Sequence, residues 1–483
     1  MAPTKFRHAR FAVVAAVSAV LSGTVAGCSL ESTGDDGGDA ITVVVGYQSK
    51  TINTVTAGTL LRAEGHFEKR LDELSSKTGK RYTVTWQDYD TGAPITTGMI
   101  AGKIDIGSMG DYPLLINGSR ASANDSTRTE MLSITGSSPR GALNMVVVPK
   151  DSSFTTLADL RGKQISASVG SAGHGTLVQA LDRIGIDPVA GVSVTNQQPQ
   201  VGASALESGK VDALAQFVAW PGLLVFQNKA RLLYDGAELG VPTLHGVVAG
   251  SRFAARHPDV VESFLRAQLD ATQSLVADPL GAAQKVADGS GLPPEVVYMY
   301  NGPAGTDFNP ALKPSLIAAL KGDKPYLKSI GSFERDLDID EFVNDEPLRR
   351  AVADSGQDYE AALVARTNEL TIKGRDSLCN REVNSSSAAE LWLAGDARTQ
   401  PAADPTCLLK AVRAARDNGH TVRAAYIVDP RLGTRWFADK AVWLREGDRF
   451  FAFTTADSAA AYGSEHPGAV PVTYEAAIGQ VAR

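Results

Sequence analysis

Apolar runs of strand length alternate, through the first half of the chain, with stretches whose apolar positions recur at helical spacing. Ile41-Thr-Val-Val-Val-Gly-Tyr-Gln48 is a β-branched run and predicts a buried strand. Leu60, Leu61, Phe67, Leu71 and Leu74 then keep helical spacing to about Ser76. Tyr82–Trp86 predicts the next strand, Asp90-Thr-Gly-Ala-Pro94 a turn, Ile95–Ala101 a short helix and Ile104–Gly107 a strand. Further strands are predicted at Asn144–Pro149, Gln164–Ala167, Val192–Asn196, Val211–Leu214, Leu232–Tyr234 and His245–Ala249. Helices are predicted at Leu157–Gly162, Gly175–Ile184 and Val201–Glu207. Strand, helix and strand with short connections is the pattern of an α/β fold with parallel sheets.

The pattern then changes. His257-Pro258 opens a long amphipathic helix through about Ala277, followed by helices at Pro279–Ala287, Pro293–Tyr300 and Pro310–Leu320. Pro at or near each start suits the first helical position. These helices read as a return that packs on the first part of the chain and ends near Val352. Arg366–Ser387 is polar; beyond it a helix at Pro405–Asn418, strands at Val422–Val428 and Arg449–Phe453, and a helix at Ala456–His466 predict a small α+β domain, with Trp436 and Trp443 in its core.

Three strands end in small-residue turns: Ser108-Met-Gly-Asp-Tyr-Pro113, Gly170-Ser-Ala-Gly-His-Gly-Thr176 and Ala215-Gln-Phe-Val-Ala-Trp-Pro221. The first two lead into helices. A strand, a tight turn and a helix start bring free backbone N–H groups and the positive end of a helix dipole to one spot. In open α/β sheets such spots are where ligands bind. Ala101-Gly-Lys-Ile-Asp105 and Ser208-Gly-Lys-Val-Asp212 are echoes of one another, each a helix end, a Gly cap and a strand start, which suggests two lobes of similar build.

The chain has 483 residues, enough for about three compact units. Its net charge is −7, and the first 28 residues carry Lys5, Arg7 and Arg10 with no acid, so the remainder is more acidic still. That excludes nucleic acid as the natural partner. An anionic ligand would have to be held by local dipoles against the overall field. There is no Gly-Lys-Ser or Gly-Lys-Thr phosphate loop and no nucleophile–base–orienter set, so neither nucleotide hydrolysis nor other enzyme chemistry is expected.

Lys5, Arg7, His8 and Arg10 precede the apolar run Phe11–Leu21, and Val25-Ala-Gly-Cys28 follows. The run is too short to span a bilayer comfortably. The order resembles the signal and lipobox of bacterial lipoproteins, which implies lipidation of Cys28. Residues 29–40, rich in Gly, Ser and Asp, read as a flexible tether. Cys379 and Cys407 then remain, and an even pair in an exported chain points to a disulfide. A thiolate metal pair is the alternative, without a CxxC or HExxH cluster to support it.

Leu157-Ala-Asp-Leu-Arg-Gly-Lys163 with Gly170-Ser171, Ala205-Leu-Glu-Ser-Gly-Lys-Val-Asp-Ala213 with Trp220-Pro221, and Phe253-Ala-Ala-Arg-His-Pro-Asp259 resemble the solute-binding lipoproteins of nitrate/sulfonate/taurine-type ABC importers. Ala101-Gly-Lys-Ile-Asp-Ile-Gly107 with Gly110-Asp111 and Pro113 resembles the first-lobe motif of that family. The resemblance covers about residues 42–350. It implies a type II periplasmic-binding-protein-like fold of two α/β lobes, lobe 1 about 41–142 and 245–352 and lobe 2 about 143–244. By that matching the ligand lies among Tyr47, Gln48, Gly110, Asp111, Ser171, His174, Thr176 and Trp220. Ser171 and Gln48 would add side-chain donors to backbone N–H groups, and Trp220 would wall the cleft. Asp111 would repel a bare anion and suits an amine or, more readily, a cap on the next helix. His174 is a donor or a turn residue, and His245 reads as structural.

Residues 353–387 are expected to link this module to an α+β domain over 388–483. Phe451-Ala-Phe-Thr-Thr-Ala-Asp-Ser-Ala-Ala-Ala461 with Trp436–Val442 resembles the NosL family, accessory lipoproteins associated with Cu(I) held by Cys and Met. No Met follows Met299, and Cys379, Cys407, His420 and His466 are the obvious remaining ligands, so a structural or docking domain is expected. The reading is a lipid-anchored, extracytoplasmic binding protein, without cofactor or metal, whose partners are a small sulfonate-, nitrate- or taurine-like ligand and an ABC permease. The alternatives are copper handling through the tail, and a pyrimidine-precursor binding protein or synthase relative. The latter would want a His- and Cys-rich active site, and no Cys lies between Cys28 and Cys379.

Overall fold

The computed structural model describes residues 40–366, 368–384 and 387–482. Cys28, the leader and the tether as far as residue 39 lie outside the described residues. Strand β1 (Ala40–Tyr47) is followed by a 3-10 turn (Ile52–Ala57), α1 (Thr59–Ala63), α2 (His66–Thr78), β2 (Arg81–Asp88), α3 (Gly92–Ile100), β3 (Ile106–Gly110), α4 (Asp111–Ala121) and β4 (Thr129–Ser138). The chain then enters a second sheet with β5 (Asn144–Pro149), β6 (Gln164–Ala167), α5 (Ala172–Arg183), β7 (Ser193–Asn196), α6 (Pro199–Glu207), β8 (Ala213–Phe217), α7 (Trp220–Phe226) and β9 (Ala230–Asp235). It returns through β10 (Thr243–Gly250) to a helical series: α8 (Ser251–Arg256), α9 (Pro258–Ala277), α10 (Pro279–Ser290), α11 (Pro294–Asn301), α12 (Pro314–Ser329), α13 (Ile339–Phe342), α14 (Glu346–Ala353) and α15 (Tyr359–Val364). Among the described residues no helix is long and apolar enough to cross a membrane.

The two sheets have the orders β2-β1-β3-β10-β4 and β7-β6-β8-β5-β9. The hydrophobic pattern predicts parallel sheets, and this is corrected: both are mixed. Each has a parallel trio, then the strand arriving from the other lobe, which runs antiparallel to both neighbours. A chain that crosses at the hinge enters the new sheet from its hinge end, and an apolar run carries no mark of direction. The sequence echo has a physical basis: Asp105 accepts the N–H of Val44 at 2.8 Å in one lobe, and Asp212 accepts that of Gln164 at 2.9 Å in the other. Each fastens a parallel strand, at the middle of β1 and at the start of β6, to the turn before its neighbour. The helix predicted from Pro310 starts at Pro314 instead, because the Pro310 carbonyl accepts the Ile134 N–H of β4 at 2.9 Å.

The C-terminal residues form a hairpin of β11 (Arg375–Asp376) and β12 (Arg381–Glu382), then β13 (Ala389–Leu393), β14 (Gln400–Ala402), α16 (Pro405–Asp417), β15 (Val422–Val428), β16 (Arg435–Phe437), β17 (Val442–Glu446), β18 (Arg449–Phe453), α17 (Ala456–Glu465), β19 (Val470–Val472) and α18 (Tyr474–Gln480). Two small antiparallel sheets result, β14-β13-β15-β16 and β18-β17-β19. Trp436 and Trp443 are both buried. Cys379 and Cys407 form a disulfide with a sequence separation of 28, which on the chain-entropy model stabilises the fold by roughly 3–4 kcal/mol.

This module shares one hydrophobic core with the second lobe and with α10 and α11. On α11, Tyr298 donates to Glu390 at 3.1 Å and stacks edge-on with Tyr426, while Tyr426 donates to the Glu295 carbonyl at 3.0 Å. Asn301, at the end of the same helix, donates to the Ile52 carbonyl of the first lobe at 2.7 Å. On the second lobe, Phe226 packs on Phe437, Lys440 donates to Asn228 at 2.6 Å, and Thr454 donates to Asp235 at 3.2 Å. The module therefore touches the second lobe and, through α11, the first. Residues before it are also packed down: Leu370 and Ile372 are buried, and Asn368 donates to the carbonyls of Gly305 and Thr306.

Asp235 is wholly buried at this junction, and burial, with Asp429 nearby, raises its pKa to about 7. An unfolded carboxyl releases its proton near 3.9. Between about pH 4 and pH 7 the folded chain therefore holds a proton the unfolded chain has lost, and stability falls as pH rises through that window, levelling off above it. Asp235→Asn is expected to reduce that slope and to raise the melting temperature at pH 8. Melting curves from pH 4 to 8 check this; a variant with the wild-type slope would remove Asp235 as its source.

Candidate functional site

A cavity of about 260 Å³ lies between the two sheets. It is walled by the N-terminal ends of four helices: Thr91 before α3 with its Gly92 and Ala93, Gly110 before α4, Ser171 before α5 with its Ala172, and Gln198 before α6. Two of these helices belong to each lobe. The first-turn N–H groups of a helix have no intrahelical acceptor, and the positive end of its dipole faces the same way. Four such ends around one space make an anion site without a lysine. Arg120 is the one charged residue on the wall, and it also pairs with Glu334 at 3.1 Å. No carboxylate lines the cavity among the described residues.

Gln48, Gly110 and Ser171 of the sequence-predicted set meet here. Ser171 Oγ accepts the N–H of His174 at 3.2 Å, capping α5 and leaving its hydroxyl proton for a ligand. Gln48 donates to the Ser108 carbonyl at 3.1 Å, which fixes its amide at the cavity wall. The other five predicted residues do not line the cavity. Tyr47 points to the opposite side of the chain from Gln48, as alternation requires, and its hydroxyl accepts from Arg62. Asp111 is buried, accepting from Thr243 and from the Tyr112 and Leu244 N–H groups, so it ties α4 to β10. Burial raises its pKa. His174 accepts the Gly170 N–H at 3.3 Å and is driven to a pKa of about 4 by burial, so it serves the turn as a neutral acceptor. Thr176 sits on α5 against Gly236. Trp220 turns into the core, where Lys50 lies over its ring at 5.8 Å, and Phe217 supplies the aromatic wall instead.

Several wall residues escape sequence reading. His245, read as structural, lines the cavity opposite Gly110 in the β3–β10 register. Asn53 donates to its Nδ1 at 2.7 Å, and burial lowers its pKa to about 3, so the ring is neutral at physiological pH. Thr91–Ala93 and Asn196–Gln198 follow β2 and β7 as strand, turn and helix start, with Pro94 and Pro199 marking the helices. That signal was available: it is the one that singled out Gly110 and Ser171.

The lobes also touch each other beside the cavity. Gln179 of α5 donates to the Tyr112 hydroxyl at 2.9 Å and to Asp323 of α12 at 2.7 Å. Gly175 of α5 lies so close to the Tyr112 ring that an added Cβ would fall 2.1 Å from it.

In the tail, Asp376, Cys379 and Cys407 are one group of potential metal ligands brought together among the described residues. Both cysteines are spent on each other, and Asp376 accepts backbone N–H groups from Leu378, Cys379 and Ala403, so the copper reading loses its thiolates. His466 stacks on Tyr462 and pairs with Glu446.

Residues 129–282 match the family model described as NMT1/THI5 like. The chain is 29% identical over 238 residues to a taurine-binding periplasmic protein of Escherichia coli strain K12, covering 49% of this chain and 70% of that protein. It is 24% identical over 256 residues to a putative aliphatic sulfonates-binding protein of the same organism, covering 53% of this chain and 74% of that one. The structure is similar to that of the alkanesulfonate-binding protein of Xanthomonas axonopodis pv. citri bound to MOPS, with a TM-score of 0.52 and 24% identity, covering 63% of this chain and 98% of that one. It is also similar to the periplasmic nitrate-binding protein of Synechocystis PCC 6803, with a TM-score of 0.50 and 12% identity, covering 68% of this chain and 91% of that one. These likenesses show the type II periplasmic-binding-protein fold. The family match ends before the C-terminal module, and the NosL likeness rests on the tail motif alone.

Proposed function

We propose that the chain is the solute-binding component of an ABC importer and that its cleft captures a small organic sulfonate. The observation that carries this reading is the cavity framed by four helix N-termini, two from each lobe. A sulfonate presents several oxygens over which such ends can be shared, whereas a planar nitrate fills little of a space that would hold about nine waters. Phe217, Pro113 and Ile116 offer the apolar surface an alkyl tail needs. With no carboxylate on the wall, a ligand ammonium finds no charged partner, so ethanesulfonate is expected to bind at least as well as taurine. The relatives that bind taurine and aliphatic sulfonates support the ligand class. The protein captures, closes and delivers its ligand without chemistry: Ser171 Oγ is bonded to a backbone amide rather than to a base. The leader motif supports a position on the extracytoplasmic face with an anchor at Cys28, and on this reading the closed form docks on a permease.

Calorimetric titration with ethanesulfonate, taurine, MOPS and nitrate tests the reading. Ser171→Ala removes a hydrogen bond to a charged group, worth about 1.5–3 kcal/mol, and is expected to weaken ethanesulfonate about ten- to a hundred-fold. Binding of nitrate alone, or no binding by any of the four, would sink it.

A further inference from the structure

A second and larger cavity, about 910 Å³, lies behind the hinge. Its wall is built from both lobe crossings (137–143 and Pro242), the end of α11, the start of α12 with the loop before it, described residues between Leu363 and Thr371, and the 428–435 loop of the C-terminal module. Its volume is near the top of the range for small-molecule sites, about 300–1,000 Å³. Leu143, Pro242, Met299, Leu316, Leu370 and Leu432 make much of the surface apolar.

The charges on the wall do not cancel. Asp307 is engaged by Lys313 at 2.9 Å and by the Asn309 N–H. Asp429 accepts from Thr454, Ser458 and the N–H groups of Arg431 and Leu432. Arg431 pairs with Glu465, and Arg435 with Glu390. Arg140 and Arg366 remain, and among the described residues neither has a carboxylate partner. Two unpaired guanidiniums on one apolar-walled space, in a chain of net charge −7, set a local positive field against the global one. A guanidinium fork matches a carboxylate or sulfonate group.

We propose that this cavity is a second ligand site, for an organic anion with an apolar body, distinct from the interlobe cleft. Arg140 and Arg366 hold the anionic head, and the leucines and Pro242 cover the tail. Because both hinge crossings form its walls, its shape changes as the lobes rotate.

The test is calorimetric titration of the full chain with decanoate. Saturable binding is expected, weakened at least ten-fold in the Arg140→Ala/Arg366→Ala double variant. It is expected to be lost in Ser315→Trp, which fills the cavity from an exposed position at the start of α12. Ethanesulfonate affinity in the cleft is expected to stay within two-fold in the double variant, which separates this site from the first. No saturable binding at millimolar decanoate, or equal affinity in wild type and the double variant, overturns the proposal. If Ser315→Trp fails to fold, the double variant alone decides.

Discussion

Glu390→Ala is expected to lower the unfolding free energy by about 3–5 kcal/mol, the cost of leaving a buried charge without its partner. Glu390 and Arg435 have side chains 5% and 1% exposed and meet at 2.5 Å. Arg435 is held between the rings of Tyr298 and Tyr426, with centroids 4.9 and 4.4 Å away, and donates to the Pro303 carbonyl at 2.8 Å. Glu390 also accepts from Thr399 at 2.6 Å and from Tyr298. Removing the carboxylate strands the guanidinium in an aromatic pocket that cannot solvate it. The Glu390→Ala/Arg435→Met double variant is expected to recover most of the loss, since an apolar replacement of both partners removes the stranded charge as well. Urea denaturation of the three proteins measures this. A single-variant cost below about 1 kcal/mol would place the pair with solvated surface bridges and reject it as the joint between module and body.

Gly175→Leu is expected to weaken ligand binding at least a hundred-fold while leaving each lobe folded. The added Cβ would lie 2.1–2.4 Å from three carbons of the Tyr112 ring, an overlap no rotamer relieves. Gly175 belongs to the second lobe and Tyr112 to the first, so the strain disappears when the lobes part. The substitution acts on the closure equilibrium, and apparent affinity falls by the fraction of closed protein lost. Gly173→Ala is the contrast: its Cβ would meet the Gln216 backbone at 2.5 Å within the same lobe, and its effect is on melting temperature. Titration with ethanesulfonate, with small-angle scattering before and after ligand, checks both. Gly175→Leu binding at wild-type affinity would mean that the Tyr112 contact has no part in closure.

How much of this was legible depends on what each residue answers to. The strands and helix starts follow apolar period and small-residue turns, which are local, so Gly110 and Ser171 could be placed at the cavity from sequence. Tyr47 and Gln48 are adjacent, and alternation sends one to the site and the other away; the sequence does not say which. Trp220 and Phe217 present the same problem around one turn, where burial against α11 and the module decided. His174 carries the signature of a ligand donor but is consumed by the turn that positions Ser171. His245 reaches the cavity through the pairing of β10 with β3, a contact between residues more than a hundred positions apart that no periodicity encodes. The mixed sheets were hidden for the same reason.

The C-terminal module adds a third connection to lobes otherwise joined by two hinge crossings. A pair of lobes on a free hinge spreads over many open arrangements, and a ligand that closes them must offset the entropy of that spread. Hydrogen bonds from the module to Asp235 and Asn228, its ring contact with Phe226, and its bond to α11 on the other side would narrow that open ensemble before any ligand arrives. The same ligand contacts then yield tighter capture, because less ordering remains to be done at binding. On the proposed binding role, a narrower swing would also slow escape once the cleft has shut, and deleting the module's contacts is expected to shorten the residence time of a bound ligand.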